Sequence, residues 1–413
     1  MLRVELLMFH TNRIILKLLL QLVLLFSTAI AGQLKVVTYN LLNFPNIMGY
    51  ERIKYYRQIM DYIKPDILVV QEMQSEIGME LFRDSVLNYR QNEFSIAPFN
   101  DGPDTDNGLF YRRSKSEFIE AIYIPTSNRD IARYKIRMKD SKREFYIFSV
   151  HLKADAESEL IRLQEAIRLP NHLDSLPDSI EYIVMGDFNF YYNESGYLKL
   201  VDSVQTNSKG LRDLLAFSGD WHDNYAYAYA HTQSTRNEAL PDMGSTGGLD
   251  DRFDLILCSP NLIDTAGLFL PVESYTVFGN DGKHFNKSIN SGINYAVPDE
   301  IARALYYASD HLPVSVIVMD GYNNKIEIKE LAIYPNPMRK QAYIKLPYLD
   351  DFQRAKITIT NILGQRVYET ESFNPYVVSI SNDKFNVGIY FVHIQIETKY
   401  GKHYYRTKLA VVK

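Results

Sequence analysis

Between residues 32 and 321 short apolar runs recur, and each lies against a residue able to bind a metal ion or a phosphate. Leu34-Lys35-Val36-Val37-Thr38-Tyr39 ends in Asn40, Ile67-Leu68-Val69-Val70-Gln71 in Glu72, and Phe148-Ser149-Val150 in His151. Tyr182-Ile183-Val184-Met185-Gly186 ends in Asp187-Phe188-Asn189. Arg252-Phe253-Asp254 opens a run through Leu257, and Ser309-Asp310-His311 leads into Leu312-Pro313-Val314. Runs this short and apolar read as strands covered on both faces. Helical periodicity at Arg52–Ile63 and Ile77–Tyr89 is interleaved with them. The expected class is therefore layered α/β, with strand ends converging on one rim.

The residues at those ends suit hydrolysis of a phosphate ester. A hard divalent cation takes oxygen ligands, and one or two carboxylates with retained waters is the usual magnesium arrangement; Glu72 and Asp310 are the expected direct ligands. Asn40 and Asn189 are neutral groups that can meet metal, water or phosphate without adding negative charge. Histidine exchanges a proton near neutral pH and a carboxylate can orient it, which pairs Asp254 with His311. Residues two apart share a face of extended backbone, so Asp187 with Asn189, and Arg252 with Asp254, can each act together. Taken singly these residues have plainer readings: Asp187 and Asn107 as turn residues, His151 as a structural histidine, Arg252 as an ion-pair residue and Cys258 as inert core.

Residues 1–31 read as an export signal. Arg3, Arg13 and Lys17 precede a greasy run from Leu18 to Phe26, and Ala29-Ile30-Ala31 fits the small-x-small cleavage pattern. The stretch Ile14–Ile30, interrupted by Lys17 and Gln21, is short for a span of about 20 apolar residues, so stable membrane insertion is not expected. One cysteine in 413 residues excludes an intramolecular disulfide framework. From 322 to 413 the texture changes to short alternating runs separated by turns, which suggests a small β-sandwich. Tyr334-Pro335-Asn336-Pro337, Asn361-Ile362-Leu363-Gly364-Gln365, Gly388-Ile389-Tyr390-Phe391-Val392 and the closing Lys408–Lys413 follow in order. That series closely resembles the C-terminal sorting domain of type IX secretion substrates in the Bacteroidetes. The resemblance implies export through the periplasm to the surface or medium, with the type IX machinery as partner; an Ig-like adhesion module would need similar strands.

The ordered set TYNLLNF, DILVVQEMQS, FSVHLK, MGDFN, DRFDLIL and SDHLPV resembles the endonuclease/exonuclease/phosphatase superfamily, the deoxyribonuclease I-like fold. The resemblance implies a four-layered α/β sandwich over residues 32–321, followed here by the C-terminal β-sandwich. It implies Mg²⁺ or Mn²⁺ dependence, with Ca²⁺ left open as a structural ion, and attack by water on phosphorus. Carried over by motif, Asn40, Glu72 and Asp310 match metal-site residues. His151, Asp187, Asn189, Asp254 and His311 match catalytic ones, with either His311 or Asp187 as proton acceptor and His151 as leaving-group acid or phosphate ligand. One position departs: where the deoxyribonuclease branch has a Glu partner for the additional histidine, this sequence has Thr105 between Asp104 and Asp106.

Arg252, Asn107 and His284 are further candidates for binding substrate. His284 lies in a polar segment, Gly279–Lys287, and a tyrosine-rich insertion, Trp221–Leu249, is either a stacking surface or a packed cluster. The first expectation is a monomeric secreted nuclease or phosphodiesterase acting on nucleic acid or a small phosphodiester. A phosphomonoesterase or phospholipid-headgroup hydrolase is the second, and a non-catalytic surface binder on the same scaffold the third. Charge bears on the choice: residues 32–321 hold 28 Lys and Arg against 41 Asp and Glu, a net −13, whereas residues 322–413 carry +6. A strongly acidic domain gives no general attraction for long polyanions, although a local basic groove would be enough.

Overall fold

The computed structural model describes residues 32–413 except 178, 202–209, 216, 218, 264–266, 322–328, 348–351, 362–364 and 399–400. The expected export signal lies outside the described residues, and no described helix is long and apolar enough to cross a membrane. The chain divides between residues 323 and 324 into two compact units.

In the first unit, β1 (Gln33–Phe44), β2 (Ile67–Met73), β3 (Phe94–Ile96) and β4 (Asp106–Arg112) open one sheet. The chain then crosses to a second sheet made of β5 (Ser116–Ile124), β6 (Ile131–Met138), β7 (Glu144–His151), β8 (Tyr182–Asp187), β9 (Arg212–Asp213) and β10 (Asp254–Cys258). It returns to the first through β11 (Leu268–Phe269), β12 (Thr276–Val277) and β13 (Val314–Asp320). The orders are β11-β13-β1-β2-β4-β3, with β12 also on β13, and β5-β6-β7-β8-β10-β9. Among the described strand pairs of these two sheets, β1 with β2 and β7 with β8 run parallel.

Alternation along these strands places the layers. Val36 of β1, Ile147 of β7, Met185 of β8 and Ile256 of β10 share one core between the sheets. Residues of opposite parity, Phe148, Val184 and Leu255, pack outward with the helices α3 (Glu159–Ala166), α4 (Arg168–Leu173) and α5 (Ser195–Val201). On the far side Tyr39 meets Tyr56 of α1 (Gly49–Ile63) edge to face at 5.9 Å. The result is helix, sheet, sheet, helix, a four-layered α/β sandwich.

Local sequence explains two departures from the simple pattern. The helix that periodicity extends to Tyr89 is α2 (Glu76–Phe82), capped by the Ser75 hydroxyl on Gly78 N–H at 3.0 Å and continued by one π-helical turn, Arg83–Leu87. The Tyr225–Ala230 segment, whose alternation also suits a strand, is a 3-10 helix capped by the Asn224 side chain. Its Tyr225 and Tyr229 are exposed, while Tyr227 packs on Phe217 at 4.7 Å.

The second unit is a β-sandwich. Strands at Lys329–Glu330, Phe352–Asn361, Arg366–Ser372, Gly388–Thr398 and Gly401–Val411 form one sheet, and Ile333–Tyr334, Gln341–Lys345 and Val377–Ser381 the other. Ile344 and Ile380 from the smaller sheet share a core with Ile357, Ile359, Val392 and Ile394 from the larger.

Candidate active site

The inward parity that fills the core also builds the site at the open end of the sandwich. Along β1, Val36, Thr38 and Asn40 face the second sheet; along β7, β8 and β10 the inward residues include His151, Asp187 and Asp254. Register brings the last three together, since His151 lies opposite Asp187 and Asp187 opposite Asp254. Gly186 makes the approach of β8 to β7 feasible: its φ is +141°, and a Cβ there would stand 2.0 Å from the Val150 carbonyl oxygen.

Glu72 follows the inward-facing Gln71, so regular alternation would turn it outward. Instead its φ is +58° and the β2 register shifts after Val70, a bulge that re-aims the carboxylate. Glu72 Oε1 then accepts from Asn40 Nδ2 at 2.9 Å and Oε2 from Asn43 N–H at 2.8 Å. Asn40 Nδ2 also donates to Asp187 Oδ2 at 3.0 Å, while its Oδ1 accepts from Leu42 N–H. Asn40 is thus placed as a clamp between two carboxylates, with its oxygen turned away from them. Glu72, His151 and Asp187 each bring a ligand atom within 4.8 Å of the others. This oxygen-rich set with one imidazole fits a divalent cation.

Asp187 Oδ2 lies 3.6 Å from His151 Nε2 on one side and 3.6 Å from His311 Nε2 on the other. Burial above all, opposed by His311 and reinforced by Asp254 and Glu72, pushes the Asp187 carboxyl up to about 7. Burial, then Asp310, raises Glu72. Burial also holds His151 well below its ordinary value, helped by the Arg129 cation. On His311 burial acts downward, yet Asp254 and Asp187 raise the ring well above its ordinary value. His311 Nδ1 is 2.7 Å from Asp254 Oδ2, and the Asp254 backbone is held by the Thr232 hydroxyl at 3.1 Å.

The other expected residues fall into two groups. Asp310 stands beside the cluster, its Oδ2 accepting from Ser245 N–H at 2.7 Å and its Oδ1 buried without a partner. Asn189, with φ +51°, donates its amide to Leu152 O at 3.1 Å and its backbone N–H to Asp187 Oδ1. Asn107 is one layer deeper. There Thr38 donates to Gln71, Gln71 to Ser149, and Ser149 to Asn107 Oδ1 at 2.6 Å, a buried polar chain tying the two sheets beneath the site.

Arg252 and His284 are not brought to the group. Arg252, with no exposed side chain, forms a two-pronged ion pair with Asp213 at 2.7 and 2.8 Å under the Phe217 ring. Its guanidinium is spent on that carboxylate because β10 begins only at Asp254 and the preceding residues do not continue the strand alternation. His284 uses both ring nitrogens within its own loop, on Asp281 and the Ser291 carbonyl.

At the departing position Thr105 accepts from Arg129 at 3.2 Å, Arg129 pairs with Asp104, and His151 Nδ1 is buried without a partner. Sequence reasoning missed Gln233, whose Nε2 lies 2.7 Å from His311 Nε2. With Nδ1–H donated to Asp254, the neutral His311 ring accepts from this amide; in the charged ring the amide must present its oxygen instead. Gln233 sits 78 residues from His311 in an insertion without a motif, so nothing local marks it.

No curated protein matches the sequence. Among solved structures, an endonuclease/exonuclease/phosphatase family protein from Bacteroides thetaiotaomicron is 19% identical, covering 70% of this chain and 98% of that one, with a TM-score of 0.46. A mannosyl-6-phosphatase from the same organism is 17% identical over 69% and 99% of the two chains, with a TM-score of 0.45. The TDP2 of D. rerio, solved with a single-strand DNA product, is 14% identical over 70% and 99%, with a TM-score of 0.47. Residues 332–405 match the secretion system C-terminal sorting domain. Residues 37–311, more than half of the chain, match the Endonuclease/Exonuclease/phosphatase family, and the chain belongs to it.

Proposed function

We propose that residues 32–321 form a divalent-metal-dependent phosphoesterase that hydrolyses phosphodiester bonds by in-line attack of water, on a chain exported to the surface or medium through its sorting tail. The observation that carries this is the Asp187 oxygen set 3.6 Å from an imidazole on either side and clamped by Asn40 to Glu72. Glu72, Asp187 and His151 would hold the cation, with Asp310 beside them. Bound there, Mg²⁺ or Mn²⁺ supplies positive charge for the non-bridging phosphoryl oxygens. Asp187, with His151 and His311 each 3.6 Å from its Oδ2, orients the attacking water and accepts its proton. His311, kept charged by Asp254, faces the phosphoryl group and gives its proton toward the departing oxygen once Gln233 has yielded Nε2. His151, held neutral by burial, enters as a ligand or hydrogen-bonding group rather than as a proton store.

A second reading, hydrolysis of a small phosphomonoester or a lipid headgroup, is favoured by the net charge of −13 over residues 32–321. The rim adds to it: His222 pairs with Asp251 at 2.6 Å, and Asp220 and Asp250 also act on it. Long nucleic acid would approach this rim against repulsion.

The test is turnover by the full chain on plasmid DNA, RNA, bis(p-nitrophenyl) phosphate, p-nitrophenyl phosphate and sphingomyelin, in ¹⁸O-labelled water. Chelator-sensitive diester cleavage with the label in the phosphate product is expected. Cleavage of the monoester or of sphingomyelin without cleavage of DNA, RNA or bis(p-nitrophenyl) phosphate would promote the second reading, and no turnover on any ester would sink both.

A further inference from the structure

The insertion that begins at Trp221 contributes more than Gln233. Its residues 236–245 form a strap pinned to the last carboxylate of the site. Ser245 N–H donates to Asp310 Oδ2 at 2.7 Å, Ser234 donates to the Ser245 carbonyl at 2.7 Å, and Thr235 N–H donates to the Asp310 carbonyl at 3.0 Å. Asp242 closes the strap on itself, accepting from Arg236 Nη1 at 2.6 Å and from Gly244 N–H at 3.1 Å.

Beneath the strap four buried polar atoms have no partner: Arg236 Nε and Nη2, the Tyr39 hydroxyl and Asp310 Oδ1. Arg236 Nη2 and Asp310 are neighbours, and Tyr39 adjoins Asn40, whose carbonyl accepts from the Ser309 hydroxyl next to Asp310. A Cβ on Gly244 would stand 2.7 Å from Arg236 Nη2 and 3.1 Å from Asp310 Cβ. Arg236 and Tyr39 are both fully buried, so neither reaches bulk solvent to satisfy these groups. Unpaired buried donors and acceptors are costly, and a shared internal water is the ordinary remedy where the site is polar and complementary. Here the complement is right: two guanidinium N–H donors, one hydroxyl and one carboxylate acceptor.

We propose that Arg236 and Tyr39 form a positioning site behind Asp310, holding an internal water that accepts from Arg236 and donates to Asp310 Oδ1. The water and the Ser245 N–H then fix both carboxylate oxygens, and the strap acts on the reaction through Asp310 without touching substrate. The inference rests on the reading of Asp310 as part of the metal site. It explains why glycine stands at 244, since any side chain there would fill the space between Arg236 and Asp310.

The test is calorimetric titration of Mg²⁺ into the substrate-free full chain, as wild type, Arg236→Met, Arg236→Lys and Tyr39→Phe. Partners that orient a metal-binding group are worth roughly 10–100-fold in affinity. Arg236→Met is therefore expected to weaken Mg²⁺ binding by at least about tenfold and Tyr39→Phe severalfold, with Arg236→Lys recovering part of the loss. Activity should return toward the wild-type kcat at saturating Mg²⁺, a split that a merely structural role would not produce. If Arg236→Met fails to fold, Tyr39→Phe, which deletes one oxygen, decides the matter. Wild-type Mg²⁺ affinity in folded Tyr39→Phe and Arg236→Met would overturn the proposal. A wild type that binds Mg²⁺ but hydrolyses no phosphate ester would sink the hydrolase reading and leave this inference standing.

Discussion

His311 holds a carboxylate on one ring nitrogen and an amide on the other, and the two contacts have opposite consequences. Asp254 stabilises the charged ring, whereas Gln233 occupies the nitrogen that the proposed function turns toward the phosphoryl group. Asp254→Asn is expected to lower kcat by about 10²- to 10⁴-fold, the usual worth of a positioned acid or base, with KM little changed; steady-state kinetics check this, and an unchanged kcat would contradict it. Arg252→Ala should behave differently. It leaves Asp213 buried and unpaired, which costs about 3–5 kcal/mol, while activity per folded molecule persists; urea unfolding beside an activity assay separates the two. Asp187 supplies a third test. Its folded pKa of about 7 exceeds the ordinary carboxylate value, so the folded state binds more protons than the unfolded state up to about pH 7. Its contribution to stability is present at low pH and is lost as pH rises toward 7. His151, depressed by burial, acts in the opposite direction, so the comparison must isolate Asp187. Metal-free Asp187→Asn should gain stability relative to wild type between pH 5 and pH 8, and a pH-independent difference in Tm would count against the assignment.

At the scale of elements, the close pairing of β7 and β8 sets the His151–Asp187 distance, and Gly186 is its weak point. Gly186→Ala must place a methyl group against the Val150 carbonyl at a φ that side chains rarely adopt. It is expected to cost soluble yield or cooperative unfolding, read by circular dichroism; a well-folded variant with wild-type kcat would show that the strands can part. The same elements explain what the sequence made legible. β1, β2, β7, β8 and β10 announce themselves because strands buried on both faces must be apolar and a polar site residue stands at one end of each. β5 carries no such mark, since it is an edge strand with most of its side chains half-buried or exposed. Glu72 was legible as a residue and not as a geometry, because the left-handed turn that aims it depends on the register shift with β4. Arg252 was grouped with Asp254 by alternation, which fails because the strand starts two residues later. The partners of His311 and Asp310 within residues 232–245 were not legible, since insertion loops take their conformation from tertiary contacts and carry no period.

For the whole molecule, the division between residues 323 and 324 and the two separate cores predict that catalysis and export are separable. A chain ending at residue 323 should retain the kcat of the full chain, and loss of turnover on truncation would mean that the second unit supports the first. Deleting residues 331–413 should leave the enzyme undelivered, with surface labelling as the measurement.

The central claim is that the cluster around Asp187 is a metal-dependent site for hydrolysing phosphate esters. The most direct measurement strips the full chain with a chelator and adds Mg²⁺ or Mn²⁺ back while following bis(p-nitrophenyl) phosphate. Hydrolysis should stop on chelation and return with the ion in wild type, and should not return in Asp187→Ala or His311→Ala. Hydrolysis that survives the chelator, or that Asp187→Ala restores as well as wild type does, would contradict the account.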